Sequence, residues 1–250
     1  MTEPDEASTT ERPPAWRTVA LAMTVIIGTA LLLWGGDWLA RIGAESLLTR
    51  ETQDATGTSA RPSVRIHGFF FLPQVVRGRY NDVEISLTDL SSGPLRIHTV
   101  HAQLTGVHLP FHDVLVRKAG EIVIDQAEEE AFVTYDDLNR YLSLTGHHVT
   151  MEPTADGQVQ ITGSAQVLGK TVSASADARI TSEQGALAVH PTRLHTHTSL
   201  DRASEILLGQ RFTLQIPLDP LPFGQQITSI AAEGSGIIVH ARGSNIVVAQ

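Results

Sequence analysis

The sequence contains no cysteine. No disulfide framework, thiolate metal site or lipid-modified N-terminal cysteine can contribute, and the fold must stand on packing alone. Basic charge is also scarce: 18 Lys and Arg residues face 27 Asp and Glu, for a net charge of -9. Lys118 and Lys170 are the only lysines. That balance argues against a nucleic-acid or other polyanion surface, because phosphate contacts need a basic field. Catalytic signatures are missing too: the chain has no G-x-S-x-G elbow, no G-x-G-x-x-G turn and no H-E-x-x-H. Gly169-Lys170-Thr171 ends like a phosphate loop, but five residues separate Gly163 from Gly169 where the motif needs four. The surroundings read as a hairpin instead.

What is present begins with one long apolar run, residues 18–36, which carries no charge. At about 1.5 Å of rise per residue it is just long enough to cross a hydrocarbon core of roughly 30 Å. Trp16 and Trp34 stand near its ends, where aromatic rings tend to lie at headgroup level. The run reads as an uncleaved transmembrane anchor. A cleaved secretory signal is the alternative; the run is longer than the usual signal core, and no small-x-small site follows it. Arg12 and Arg17 before the run nearly balance Arg41 and Arg50 after it. The immediate flanks, Arg17 against Asp37, favour a cytoplasmic N-terminus and an extracytoplasmic C-terminal domain.

The expected division is a disordered cytoplasmic tail (1–17), the anchor (18–36), an amphipathic helix and linker (37–62) and a folded domain (63–250). The tail is polar and Pro-containing, too poor in apolar residues to offset the entropy of ordering. In residues 37–49, Trp38, Leu39, Ile42 and Leu47 recur at helical spacing and are expected to form the buried face. Residues 51–62 read as a polar linker. From Ser63 onward alternation dominates: Val64 and Ile66, then Val83, Ile85 and Leu87, mark strands with one buried face. Three consecutive aromatics, Phe69, Phe70 and Phe71, cannot all face one core, so part of that cluster should lie at an edge, mouth or groove. Pro73 is placed to open a short helix that Gly78 closes. A change of buried phase around Val100 suggests a bulge. Thr134 and Asp137 form a capping-box-like start to a helix with Leu138, Tyr141 and Leu142 on its apolar stripe. Further strands follow, with a second helix at 200–208 whose inward face should hold Ala203, Ile206 and Leu207. The fold class is α+β: one N-terminal transmembrane helix, then a curved, mainly antiparallel sheet with a few helices.

Eleven histidines raise a metal hypothesis. Yet His195-x-His197, His98 with His101 and His147-His148 have no carboxylate beside them in sequence, and packed or solvated histidines are the simpler reading. Glu128-Glu129-Glu130 reads as a solvated acidic turn. No metal or other cofactor is implied.

Taken in order, Gly68, Phe69 to Leu72, Pro73-Gln74-Val75-Val76-Arg77-Gly78 and Asn81-Asp82-Val83 resemble the opening signature of the LmeA family of actinobacterial envelope proteins. Tyr135-Asp136-Asp137-Leu138-Asn139-Arg140-Tyr141-Leu142 resembles the family's central helix. Leu221-Pro222-Phe223-Gly224, with the hairpin through Gly234, resembles its C-terminal end. The resemblance runs from about Asp37 to the end of the chain. It implies a periplasmic phospholipid-binding protein, akin to tubular lipid-binding domains, in which a curved sheet and helices enclose an apolar groove, with a link to envelope mannan elongation. The chain departs from the pattern by having an anchor helix in place of a lipobox cysteine, and by an extra Phe.

An acyl-chain groove needs apolar side chains beyond those the core consumes, each buried CH₂ being worth roughly 0.8 kcal/mol. The lipid-binding candidates are Phe69, Phe70, Phe71 and Leu72, then Phe111, Leu115, Leu138, Leu142 and Phe223. The expected function is non-enzymatic: a membrane-anchored phospholipid-binding or lipid-shuttling protein that supports envelope maintenance or glycolipid assembly. Its partners would be phospholipid, the membrane and envelope glycolipid-synthesis proteins. The alternatives are a scaffold that docks a protein through a strand edge or the Phe cluster, and a histidine-dependent metallohydrolase.

Overall fold

The computed structural model describes residues 15–56, 58, 60–110, 122–154, 158–167, 170–183, 185–196, 202–217 and 225–248. Helix α1 spans Ala15–Thr56 without a break, so the apolar run and the amphipathic segment are one rod, and it takes in the first part of the expected linker. It is the one described helix long and apolar enough to cross a membrane. From Val19 to Trp34 it is exposed at every position but Gly28. From Asp37 to Thr49 the buried or half-buried positions become 37, 40, 41, 44, 45, 46, 48 and 49. That is the i, i+3, i+4, i+7 stripe of a helix lying on a surface.

This stripe corrects the expected face. Trp38, Leu39, Ile42 and Leu47 all point away from the domain. The residues that face it are small or polar: Ala40, Ala44 and Leu48 pack on apolar neighbours, and Asp37 and Thr49 are buried among them. Small side chains let the helix axis approach the sheet closely, which the bulkier set would prevent.

A strand β1 (Ser63–His67) leads to the short helix α2 (Leu72–Arg77). Pro73 lies in the first turn of α2, and Gly78 closes it in the left-handed conformation (φ 62°), as the sequence suggests. Strands β2 (Arg79–Ser92), β3 (Leu95–His108) and β4 (Ile122–Thr134) then form a meander. Helix α3 (Tyr135–Leu144) follows, capped by Thr134, whose side chain accepts the Asp137 N–H at 3.1 Å. Next come β5 (Val149–Pro153), β6 (Val159–Val167), β7 (Lys170–Glu183) and β8 (Ala186–Thr196). Helix α4 (Arg202–Phe212) and strands β9 (Leu214–Pro217), β10 (Gln226–Glu233) and β11 (Gly236–Val248) complete the described chain. Helix α4 buries Leu208 and Phe212 and exposes Ile206, expected inward, while the side chains of Ala203 and Leu207 lie outside those described.

The strands form two antiparallel sheets, β1-β2-β3-β4-β11-β10 and β5-β6-β7-β8-β9. The fold class is therefore the expected one, with the strands divided between two sheets. The buried phase of β3 does change, from Leu95 to the even positions Val100, Ala102 and Leu104. No bulge accompanies it: the β2–β3 pairing stays in register from Arg79↔His108 to Ser92↔Leu95. Asp89, in left-handed backbone at φ 55°, marks the place on the partner strand. Likewise β11 runs as one strand past Asn245 (φ 51°) without losing register on β4.

Candidate functional site: a polar seam between two apolar clusters

Pairing register places the inward side chains of the six-stranded sheet in rows that cross its strands. One row runs Tyr80, Val107, Ile124, Ile246, and the next runs Ile66, Val83, Leu104, Ala127. Both belong to a small apolar cluster that also contains Phe71 and the inward face of α1. A third row runs Val64, Ile85, Ala102, Glu129, Ala241. Beyond it, Leu87, Val100, Ala131 and Val239 join a larger cluster with α3, α4 and the five-stranded sheet. The interior thus has two apolar parts. Between them lies a seam where a carboxyl group stands between two alanines.

The acidic run is therefore no solvated turn. In a strand, neighbouring side chains point to opposite faces. Glu128 and Glu130 turn outward, within reach of Arg242 (3.3 Å) and His240 (3.8 Å), and Glu129 turns inward and is buried. Burial disfavours its charged form and raises its pKa. The Gln225 side chain comes near enough to offset part of that shift. Both the nitrogen and the oxygen of the Gln225 amide are buried, yet neither meets hydrogen-bond geometry with another group among the described residues. In the larger cluster the Tyr135 hydroxyl is also buried without a partner among the described residues, and burial raises its pKa. Buried polar groups are almost always hydrogen-bonded, because an unmet donor or acceptor costs about 1–3 kcal/mol. Unspent capacity in an apolar interior is what a ligand with a few polar atoms and long apolar arms would use.

The sequence candidates separate. Phe71 is buried in the small cluster, its ring 6.2 Å from that of Tyr80. Leu138 and Leu142 are fully buried in the larger one. Phe69, Phe70 and Leu72 are exposed, and the first two stack edge to face with ring centres 4.7 Å apart. Phe111, Leu115 and Phe223 lie outside the described residues. Glu129 and Gln225 were not singled out for binding. The signal for Glu129 was in the sequence, since Ala127, Ala131 and Val133 alternate through it.

Among the described histidines, His67, His98, His108, His190, His195 and His240 each stand partly exposed beside one carboxylate, and His101 meets the Ser86 hydroxyl. His195 meets Asp177 at 3.1 Å, His108 meets Asp125 at 3.1 Å and His190 meets Glu183 at 2.8 Å. Among the described residues no three His, Asp or Glu side chains gather closely enough to hold a metal ion.

A model of the LmeA-like phospholipid-binding family matches residues 35–242. The chain belongs to that family. The match begins just before Asp37, so α1 from that point on is part of the family's domain. Searches of curated proteins and of solved structures find no match. Membership in the LmeA-like family gives phospholipid binding, and nothing in that description is enzymatic.

Proposed function

We propose that this LmeA-like protein is a membrane-anchored, non-enzymatic carrier of phospholipid whose ligand lies on the inner face of the six-stranded sheet, across the Ala102–Glu129–Ala241 seam. The observation that carries this reading is Glu129, buried between two apolar clusters, with the buried Gln225 amide beside it holding hydrogen-bonding capacity unspent among the described residues. A phospholipid supplies both chemistries the seam lacks. Its ester or headgroup oxygens accept from the Gln225 amide, beside the Glu129 carboxyl that burial pushes toward its neutral form. Its acyl chains extend over apolar surface, with Leu138 and Leu142 on one side and Phe71 and Tyr80 on the other. Alanines at 102 and 241 leave room for the chain where larger residues would fill it. Phe223 stands two positions before Gln225 in the sequence and, with Phe111 and Leu115, completes the proposed lining.

Helix α1 holds this domain at the bilayer, with the N-terminus cytoplasmic and the domain outside, where it moves or presents lipid for envelope maintenance or glycolipid assembly. The test is lipid extraction and mass spectrometry of the full chain after exchange into lipid-free detergent micelles. Wild type should retain phospholipid near one per chain, and Glu129→Leu with Gln225→Leu should lose most of it. A wild-type protein that retains no phospholipid and accepts no fluorescent phospholipid from vesicles would overturn the reading.

A further inference from the structure

Three acidic or basic residues on successive turns of α1 bond the backbone of the segment that leaves β1. Glu45 accepts the Ile66 N–H at 2.9 Å, and Arg41 donates to the Gly68 carbonyl at 2.7 Å. Asp37 accepts from the Phe71 N–H at 2.8 and 2.9 Å and from the Leu72 N–H at 2.7 Å. As the segment advances from 66 to 72, its partners step back along the helix from 45 to 37. The segment therefore descends along α1 toward the apolar run, and Phe69 and Phe70 lie at the level of residues 37–41. Gln74 fastens the same segment from inside, donating to the carbonyls of Phe70 (2.9 Å) and His67 (3.3 Å) and accepting the Asn81 N–H (3.1 Å). Gly68 (φ 129°) has no space for a side chain, which would collide with Gln74.

At the tip of this braced loop two phenylalanines are turned out. Phe69 is 89% exposed and Phe70 46%, and Leu72 and Val76 beside them are exposed as well. Such exposure in a loop braced from both sides by hydrogen bonds marks an interaction site. Its height decides the partner: the loop sits within one helical turn, about 5.4 Å, of the end of the uncharged run at Gly36. Trp34 and Trp38 are exposed at the same level.

We propose that the Phe69–Phe70 loop is a membrane foot, inserted into the headgroup and upper acyl region of the leaflet from which α1 emerges. It rests on the reading of α1 as a membrane anchor. With the helix it gives the domain two fixed points on the bilayer. That sets its orientation and holds the end of the interior that contains Phe71 and Tyr80 against the leaflet, where a phospholipid could pass between bilayer and seam.

The native absence of cysteine makes the test clean. The full chain is placed in nanodiscs of phosphatidylcholine and phosphatidylglycerol with a single spin label at Phe69→Cys, at Leu32→Cys within the apolar run, or at Leu144→Cys on α3. Collision rates with oxygen and with a water-soluble nickel chelate are then compared. The Phe69 label should read interfacial, shifted from the Leu144 value toward the Leu32 value. A Val76→Cys label should also read interfacial, and should move to the water-like value when Phe69→Ser and Phe70→Ser are added. A deep Leu32 label with a Phe69 label that is water-like, or shielded from both reagents as in a protein contact, would overturn the foot and leave the anchor standing. A water-like Leu32 label would remove the anchor and the foot together.

Discussion

Asp37 and Phe71 are 34 residues apart, and both carboxylate oxygens of Asp37 accept the Phe71 backbone N–H, at 2.8 and 2.9 Å. This contact joins the end of the uncharged run to the start of the sheet domain. It makes the second half of α1 a structural element of that domain, with Arg41 and Glu45 repeating the arrangement on the next two turns.

Asp37→Ala should therefore loosen the domain as well as its attachment. Hydrogen bonds to charged groups contribute about 1.5–3 kcal/mol, and the Phe71 N–H would be left buried without an acceptor. A loss of about 2–4 kcal/mol is expected in urea unfolding of the detergent-solubilised chain. Amide exchange should accelerate at Phe71 and Leu72 while the β7–β8 amides keep their protection. Unchanged exchange at both loop positions would show that the ladder contributes little.

Glu129 makes stability depend on pH in a direction opposite to that of a salt-bridged carboxylate. Its folded pKa is raised by burial, so the native state holds its proton where the unfolded chain has released it. Stability is then greatest below the unfolded value near 4.5 and falls as pH rises through the raised folded pKa. Glu129→Gln keeps the shape and removes the ionisation, so it should flatten this slope and raise stability at neutral pH. Urea midpoints measured between acid and neutral pH for both proteins check the sign. A slope identical in wild type and variant would assign the dependence to another group.

How much of this the sequence carried depends on whether a feature is local. The Thr134 cap, the Pro73 to Gly78 helix and the antiparallel hairpins are set by neighbouring residues, and they stand where the sequence places them. The separation of the three phenylalanines also follows from local geometry, with Phe71 inward and Phe69 and Phe70 outward. What failed were inferences from apolar periodicity to burial. On α1, Trp38, Leu39 and Ile42 form a regular stripe that faces away, because Ala40 and Ala44 offer a closer approach to the sheet. Three glutamates in a row suggest solvent, which hides the inward place of Glu129. The pairing that turns the middle one inward, Ala102↔Glu129 and Glu129↔Ala241, joins strands that sequence alone does not bring together.

Gly78 should resist substitution more than its position after a two-turn helix suggests. Its φ of 62° is left-handed, and a methyl group there would meet the Pro110 Cα at 3.2 Å. Left-handed backbone costs a non-glycine residue roughly 1–2 kcal/mol, and the close contact adds to it. Gly78→Ala should lower stability by about 1–3 kcal/mol, read from its urea midpoint. A loss below that range would mean that the α2 terminus can rearrange.

The divided interior makes its own prediction about coupling. Leu142, fully buried in the larger cluster, and Phe71, buried in the smaller one, share no partner in either set. Leu142→Ala should cost about 2–5 kcal/mol and Phe71→Ala about 3–5 kcal/mol. Because the seam of Ala102, Glu129 and Ala241 separates them, their effects in lipid-free protein should add to within about 0.5 kcal/mol in a double-mutant cycle. A phospholipid lying across the seam touches both clusters, so the same cycle in lipid-loaded protein should show a coupling that the empty protein lacks. Strong coupling without lipid would mean that the two clusters form one continuous core and that the seam is no boundary. Additivity in both states would place the lipid elsewhere.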